Sequence, residues 1–132
     1  MLLNDFYTII KQAEIKDAIS TDDNPVRKFI FTIKLNPDHP VYRGHFPGNP
    51  VVPGVCQVQM IKELASALLN TDLVMDKSDN IKFLSMIIPS ATPQLKVSID
   101  IKEKEPGFWN VNSVILNGEQ VFLKFKGVFR HV

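Results

Sequence analysis

The sequence lacks several features that would assign it to particular classes of protein. It has one cysteine, Cys56, in 132 residues, so no disulfide forms within the chain and a reducing, cytoplasmic setting is expected. It has no run of about 18 apolar residues, and such a run would be needed for a transmembrane helix. Its first residues also lack the basic flank and apolar core of a signal peptide.

The chain also lacks a large net charge and lacks His and Cys residues at the spacing of metal ligands. The net charge is +1 and the basic residues are scattered, which argues against a nucleic-acid-binding surface. His39, His45 and His131 do not have the spacing of metal ligands, and Cys56 has no cysteine partner, so no metal site is expected. Hydrophobic residues make up 45% of the chain, and its length suits one folded domain over residues 1–132.

Hydrophobic periodicity predicts one long helix from Gly54 to Asn70. Most of its circumference is apolar, so the helix is expected to be largely buried. Its polar residues form one stripe, which consists of Gln59, Lys62, Glu63, Ser66 and Asn70.

Most of the remaining chain is predicted to form strands. Apolar and polar residues alternate from Leu95 to Ile101, which is typical of a sheet with one wet face. The sequence Asn117-Gly118 predicts a two-residue hairpin turn. Leu3 to Lys11 has weak helical spacing, although Tyr7 to Ile19 fits a strand equally well. The other predicted strands are Val26–Leu35, Ile81–Ile88, Trp109–Leu116 and Val121–Val132.

These elements predict an α+β fold in which an antiparallel sheet curls around one long central helix. Such a sheet has two edges and an open mouth, so pairing with a second copy is expected. No internal repeat or low-complexity segment is present.

The most informative segment is residues 45–55, His-Phe-Pro-Gly-Asn-Pro-Val-Val-Pro-Gly-Val. Its three prolines and two glycines produce a stiff loop that leads directly into the predicted helix. Gly54 falls at the helix start, where free backbone N–H groups and the positive end of the helix dipole favour a partly negative oxygen. His45 is a titratable base in the same segment. A base near an oxyanion donor indicates acyl chemistry.

This segment resembles the signature of the hotdog-fold β-hydroxyacyl-[acyl carrier protein] dehydratases. The preceding Tyr42-Arg43-Gly44 also fits, and Lys82-Phe83, Ile87-Ile88-Pro89 and Leu95 resemble the next strand and turn of that family. The likeness is dense over residues 41–60, looser over 80–101 and architectural elsewhere. Gln57 and Gln59 are similar to residues of divergent dehydratase-like proteins from polyene-type lipid synthesis.

The resemblance implies a role for each residue of the motif. His45 would remove the proton α to the thioester carbonyl of a (3R)-hydroxyacyl chain, giving a trans-2-enoyl product. The N–H of Gly54 would bind the carbonyl oxygen. In the family a carboxylate from the other subunit, one helical turn further on, assists departure of the hydroxyl, and that position here is Gln59. The predicted substrate-binding residues are Phe46, Pro53 and Val55.

Gln59 is the departure from the family pattern, because an amide cannot deliver a proton. His45 could perform both proton transfers, or water or Glu63 could supply the acid. Alternatively, the chain could bind acyl groups without turnover beside a competent partner subunit. Cys56 is interpreted as a small core residue, not a nucleophile.

The preferred hypothesis is therefore a dehydratase that works as a homodimer or higher homo-oligomer. An acyl thioesterase and a non-catalytic, acyl-carrier-binding partner subunit are the alternatives. The resemblance implies acyl carrier protein as the partner and a substrate carried on its phosphopantetheine, with no bound cofactor. Arg43, Lys62 and Lys82 are candidates for the docking surface of that acidic protein.

Overall fold

A computed structural model describes residues 1–16, 24–44, 48 and 50–132. Within these residues the chain forms six strands and two helices. They are β1 (Tyr7–Ile15), β2 (Arg27–Leu35), α1 (Val41–Gly44), α2 (Gly54–Leu69), β3 (Leu73–Phe83), β4 (Gln94–Glu105), β5 (Phe108–Asn117) and β6 (Gln120–His131).

The strands form one antiparallel sheet in the order β1-β2-β4-β5-β6-β3. One face of the sheet packs on α2, whose Met60, Ile61 and Leu64 are fully buried. This confirms the predicted α+β hotdog arrangement of a sheet around one long helix. The position of β1 and β3 at the two ends of the order leaves each with an outer edge that no described strand covers.

Alternation in the central strands produces the core. In β4 the buried residues Leu95, Val97 and Ile99 alternate with more exposed neighbours, as the sequence predicts. Phe31 and Ile33 of β2 lie opposite them in the register and are fully buried too. Burial of each such side chain contributes about 1.5–3 kcal/mol, so these rows fix which face of the sheet meets the helix.

The prediction of a strand from Ile81 to Ile88 is wrong. The strand β3 runs from Leu73 to Phe83, and residues 84–93 form no strand. Most of β3 is exposed on both faces, so its sequence has no alternating pattern. Pro89 and Pro93 follow in the non-strand segment, where proline disfavours strand pairing.

The structure also decides two local predictions, one for the N-terminal segment and one for the β5–β6 hairpin. The N-terminal segment forms the strand β1, not the helix that the spacing of Leu3 to Lys11 suggested. The β5–β6 hairpin pairs Asn117 with Gln120, so its central residues are Gly118 and Glu119, not Asn117 and Gly118. Gly118 has a φ of 57°, which suits the first central position of a turn that favours glycine there. The short helix α1 was not predicted.

Within the described ranges, no helix is long and apolar enough to cross a membrane.

Candidate functional site

The start of α2 is a helix end without a side-chain cap. Its N-cap residue is Pro53, which has extended dihedral angles and forms no side-chain capping hydrogen bond. The N–H groups of Cys56 and Gln57 donate to the Pro53 carbonyl over 3.0 and 3.2 Å. The N–H groups of Gly54 and Val55 have no acceptor in the described part of the chain. These two donors at the positive end of the helix can receive an oxyanion.

A cleft of about 450 Å³ opens beside this helix end. Its walls are formed by the loop before α2 and by the segment after β3, namely Val51, Val52, Pro53, Gly54, Gln57, Phe83, Leu84, Ser85 and Met86. The N–H of Val52 donates to the Ile87 carbonyl over 2.9 Å and so ties the two walls together. The cleft is large enough and apolar enough for part of an acyl thioester.

Gly54 is required for the close approach of an aromatic ring. A Cβ atom added at Gly54 would lie 2.8 Å from the ring of Phe83, which is closer than carbon atoms pack. Phe83 is 53% exposed, so its ring has space to move outward. The packing of the Phe83 ring is thus a second reason for glycine at position 54, in addition to the predicted role of its N–H group.

The cleft floor includes a buried amide. Gln57 is 3% exposed, and its Nε2 donates to the Val52 carbonyl over 3.3 Å. Its Oε1 has no hydrogen-bond partner in the part of the chain that the structure describes. Cys56 next to it is buried, and burial raises the pKa of its thiol, which disfavours the thiolate. That environment agrees with Cys56 as a core residue.

Gln59 lies in a different depression from Gly54. It lines an open groove of about 930 Å³, together with Lys62, Glu63 and Ser66 of α2 and residues near both ends of the described chain. Side chains five residues apart project about 140° apart around a helix. One chain therefore does not bring Gly54 and Gln59 into a single cleft.

Glu63 is the most highly bonded side chain of this groove. It is 7% exposed, and its carboxylate accepts four hydrogen bonds. The Leu3 N–H and the Tyr7 hydroxyl donate to Oε1 over 2.8 and 3.2 Å. The Leu2 N–H and Gln59 Nε2 donate to Oε2 over 2.8 and 2.7 Å. We call this group the Glu63 cluster, consisting of Leu2, Leu3, Tyr7, Gln59 and Glu63.

The Glu63 cluster argues against Glu63 as the missing acid. Both of its oxygens accept hydrogen bonds from these donors, so neither oxygen is free to face a substrate hydroxyl. Burial, and then the charge and hydrogen bond of Glu63, raise the pKa of the Tyr7 phenol well above its ordinary value. Tyr7 therefore remains a donor to the carboxylate at neutral pH.

The predicted site and docking residues fall into four groups. His45 and Phe46 lie outside the described residues. Pro53 and Gly54 line the cleft at the helix end, whereas Val55 is 77% exposed beside it. Gln59 and Lys62 line the groove, and Arg43 and Lys82 are exposed.

The Glu63 cluster is not recognisable as a unit from the sequence. Its one sequence signal is the i, i+4 spacing of Gln59 and Glu63. The three donors from Leu2, Leu3 and Tyr7 lie 61, 60 and 56 residues away from Glu63 in the sequence. The described residues contain no group of three or more His, Cys, Asp or Glu side chains that could hold a metal ion.

Comparison with known proteins relates this geometry to a family. Over 92 residues the chain is 32% identical to the bifunctional enzyme LpxC/FabZ of Porphyromonas gingivalis, a match that covers 64% of this chain and 20% of that protein. It is 30% identical to the 3-hydroxyacyl-[acyl-carrier-protein] dehydratase FabZ of Clostridium acetobutylicum, over 61% of each chain. The chain thus spans less than two thirds of the length of these curated relatives.

Solved structures share the fold over nearly the whole chain. A protein from Erwinia carotovora subsp. atroseptica superposes with a TM-score of 0.67 at 21% identity, covering 96% of this chain and 95% of that one. The dehydratase heterocomplex ApeI:P from Xenorhabdus doucetiae gives 0.61 at 18% identity, covering 93% and 96%. A putative thioesterase, yhdA from Lactococcus lactis, gives 0.64 at 11% identity, covering 94% and 93%.

The family model described as ApeI-like, ApeI dehydratase, matches residues 20–119. That range contains the loop before α2, the whole of α2 and the strands β2 to β5 in full. The chain therefore belongs to the ApeI-like dehydratase family of hotdog-fold proteins.

Proposed function

We propose that the protein dehydrates (3R)-hydroxyacyl thioesters of acyl carrier protein to trans-2-enoyl thioesters, in fatty-acid or polyene-type lipid synthesis. The observation that carries this proposal is the uncapped start of α2, where the free N–H groups of Gly54 and Val55 lie beside an apolar cleft. When the carbonyl oxygen of a thioester accepts a hydrogen bond from the Gly54 N–H, the C–H group at the α carbon becomes more acidic.

The proposed reaction needs two proton transfers and no cofactor. His45 takes the α proton, and the electron pair of that C–H bond moves into the enolate stabilised at Gly54. The C–O bond at the β carbon then breaks, and the departing hydroxyl takes a proton and leaves as water. Because Gln59 has no proton to give and the oxygens of Glu63 are occupied, the same proton returns from His45.

A homodimer is part of the proposal. Gly54 and Gln59 line separate depressions in one chain, so a second chain is needed to bring one residue of each kind around a substrate. Large apolar side chains are exposed at the end of β3, in the segment after it and at the start of α2, namely Phe83, Leu84, Met86, Ile88 and Val55. Such a group of exposed side chains is typical of a surface that another protein covers. Arg43, Lys62 and Lys82 remain the proposed contacts for acyl carrier protein.

Gln59 also favours a second candidate function. Without an acidic group at this position, the chain could hold an acyl thioester and support a catalytic partner subunit instead of turning the substrate over. A thioesterase is the third candidate, although it needs an activated water and Gln59 supplies no base for it.

One assay distinguishes the three candidates. The purified protein is incubated with a trans-2-enoyl or a (3R)-hydroxyacyl thioester, and both enoyl absorbance and free thiol are followed. We expect interconversion without thiol release, and we expect His45→Ala to abolish it because the base is lost. Thiol release would instead indicate a thioesterase, and no reaction at all would indicate the non-catalytic subunit.

A second variant tests the cleft at the helix end. Gly54→Ala is expected to lower dehydration about 100-fold, because the Phe83 ring that the new methyl group meets must shift and then takes up space in the cleft that the substrate needs. Stability should change by less than about 1 kcal/mol, because alanine suits the first turn of a helix.

The matched control is Gly54→Ala combined with Phe83→Leu, which removes the ring that the new methyl group meets. We expect this double variant to recover most of the lost rate. If Gly54→Ala alone has full activity, the cleft at the helix end is not where the substrate binds.

A further inference from the structure

The Glu63 cluster fixes the orientation of the Gln59 amide. The oxygens of a carboxylate accept hydrogen bonds and do not donate them, so the atom that Gln59 presents to Glu63 Oε2 over 2.7 Å must be its Nε2. The amide is planar, so its Oε1 is held on the other side. No described residue donates to that oxygen, and Gln59 lines the open groove.

The rest of the Glu63 cluster keeps this orientation in place. The N–H groups of Leu2 and Leu3 hold one oxygen of Glu63 each, and Tyr7 holds Oε1. Glu63 is 7% exposed, and its carboxylate cannot rotate without leaving the buried Tyr7 hydroxyl and the partly buried N–H groups of Leu2 and Leu3 unpaired. Donation to a carboxylate also polarises the Gln59 amide and strengthens its oxygen as an acceptor.

We propose that Glu63 is a positioning residue that makes Gln59 an obligate hydrogen-bond acceptor, and that the site thereby selects 3-hydroxyacyl over 3-oxoacyl thioesters. A 3-hydroxyl group carries the hydrogen that Gln59 Oε1 can accept. A 3-oxo group offers only lone pairs, which would face the lone pairs of Oε1. The proposal rests on the proposed function, because that function places the β substituent of the substrate at Gln59.

Binding of unreactive analogues tests this selectivity directly. The probes are (3R)-hydroxyacyl and 3-oxoacyl pantetheine amides of equal chain length, in which nitrogen replaces the thioester sulfur so that neither acyl transfer nor hydrolysis interferes. For the wild-type chain we expect the hydroxy analogue to bind at least about tenfold more tightly, as measured by titration calorimetry.

Glu63→Gln is the informative variant. An amide at position 63 can accept from Gln59 or donate to it, so both orientations of the Gln59 amide become possible and the affinity ratio should fall to near one. Gln59→Met should give the same ratio while leaving Leu2, Leu3 and Tyr7 on the carboxylate. This second variant keeps the test decisive if Glu63→Gln does not fold.

Tyr7→Phe is the matched control. It removes the longer of the two hydrogen bonds to Oε1 of Glu63. The Leu3 N–H still holds Oε1 over 2.8 Å and Oε2 still accepts from Gln59, so the selectivity should stay at its wild-type value. A purely structural role of the Glu63 cluster would give Tyr7→Phe and Glu63→Gln the same effect.

The outcomes separate this inference from the proposed function. Equal binding of the two analogues by the wild-type chain, or an unchanged ratio in Glu63→Gln, would overturn the inference while leaving a working thioester site. Failure of both analogues to bind would overturn the proposed function together with the inference.

Discussion

Replacing Gln59 with glutamate is expected to raise the rate of dehydration by about 10² to 10⁴, the usual contribution of a positioned general acid. The introduced carboxyl would lie where Gln59 Nε2 now donates to Glu63 Oε2 over 2.7 Å. Two carboxylates in contact do not both ionise, and three donors remain on Glu63. The neighbouring carboxylate is therefore expected to raise the pKa of the introduced carboxyl, which favours the protonated form that a general acid requires.

The pH dependence of this variant gives a second readout. The added activity requires the protonated carboxyl, so it should be lost as the pH rises through the raised pKa. Adding Glu63→Gln removes the neighbouring negative charge and lowers that pKa. The rate of the double variant should therefore decline at a lower pH than the rate of Gln59→Glu alone.

The control for this experiment is Gln59→Glu combined with His45→Ala, which should be inactive because the base is missing. Initial rates of enoyl formation across the pH range provide the measurement. If Gln59→Glu is no faster than the wild type, the absence of an acid does not limit this protein.

The sequence correctly predicts the elements of the fold that are buried on one face. Leu95, Val97 and Ile99 alternate with wetter neighbours because one face of β4 meets the helix. The edge strand β3 has no such face, so its pattern gave no signal and its bounds were misplaced. The shift of the hairpin turn by one residue has a different cause, since Gly118 favours a turn with glycine first as readily as one with glycine second.

The candidate site is predictable from sequence only as far as its local geometry. Gly54 at the helix start follows from the loop and the apolar helix, and the helix does begin at Gly54. The burial and hydrogen bonding of Glu63 cannot be predicted from the sequence, because its position in a polar stripe suggests a solvated residue. The structure shows a buried carboxylate whose donors come mainly from the N-terminal residues. Contacts over such sequence separations depend on the whole fold.

The largest effect on stability is expected at Glu63. Glu63→Ala would leave the N–H groups of Leu2 and Leu3 and the hydroxyl of Tyr7 without their acceptor. Each unpaired buried donor costs about 1–3 kcal/mol, and water reaches the two partly buried N–H groups in part. We therefore expect a loss of about 3–5 kcal/mol in the free energy of unfolding, a large share of the usual 5–15 kcal/mol.

Denaturant unfolding of Glu63→Ala measures this loss, with Glu103→Ala as the matched control. Glu103 is an exposed glutamate of β4, so its loss should change the free energy of unfolding by less than about 0.5 kcal/mol. A double-mutant cycle with Tyr7→Phe should then show coupling of about 0.5–3 kcal/mol, because the two side chains share one hydrogen bond. Equal effects of the two alanine variants would mean that the N-terminal residues are not held on the helix by this carboxylate, and the acceptor role of Gln59 would lose its physical basis.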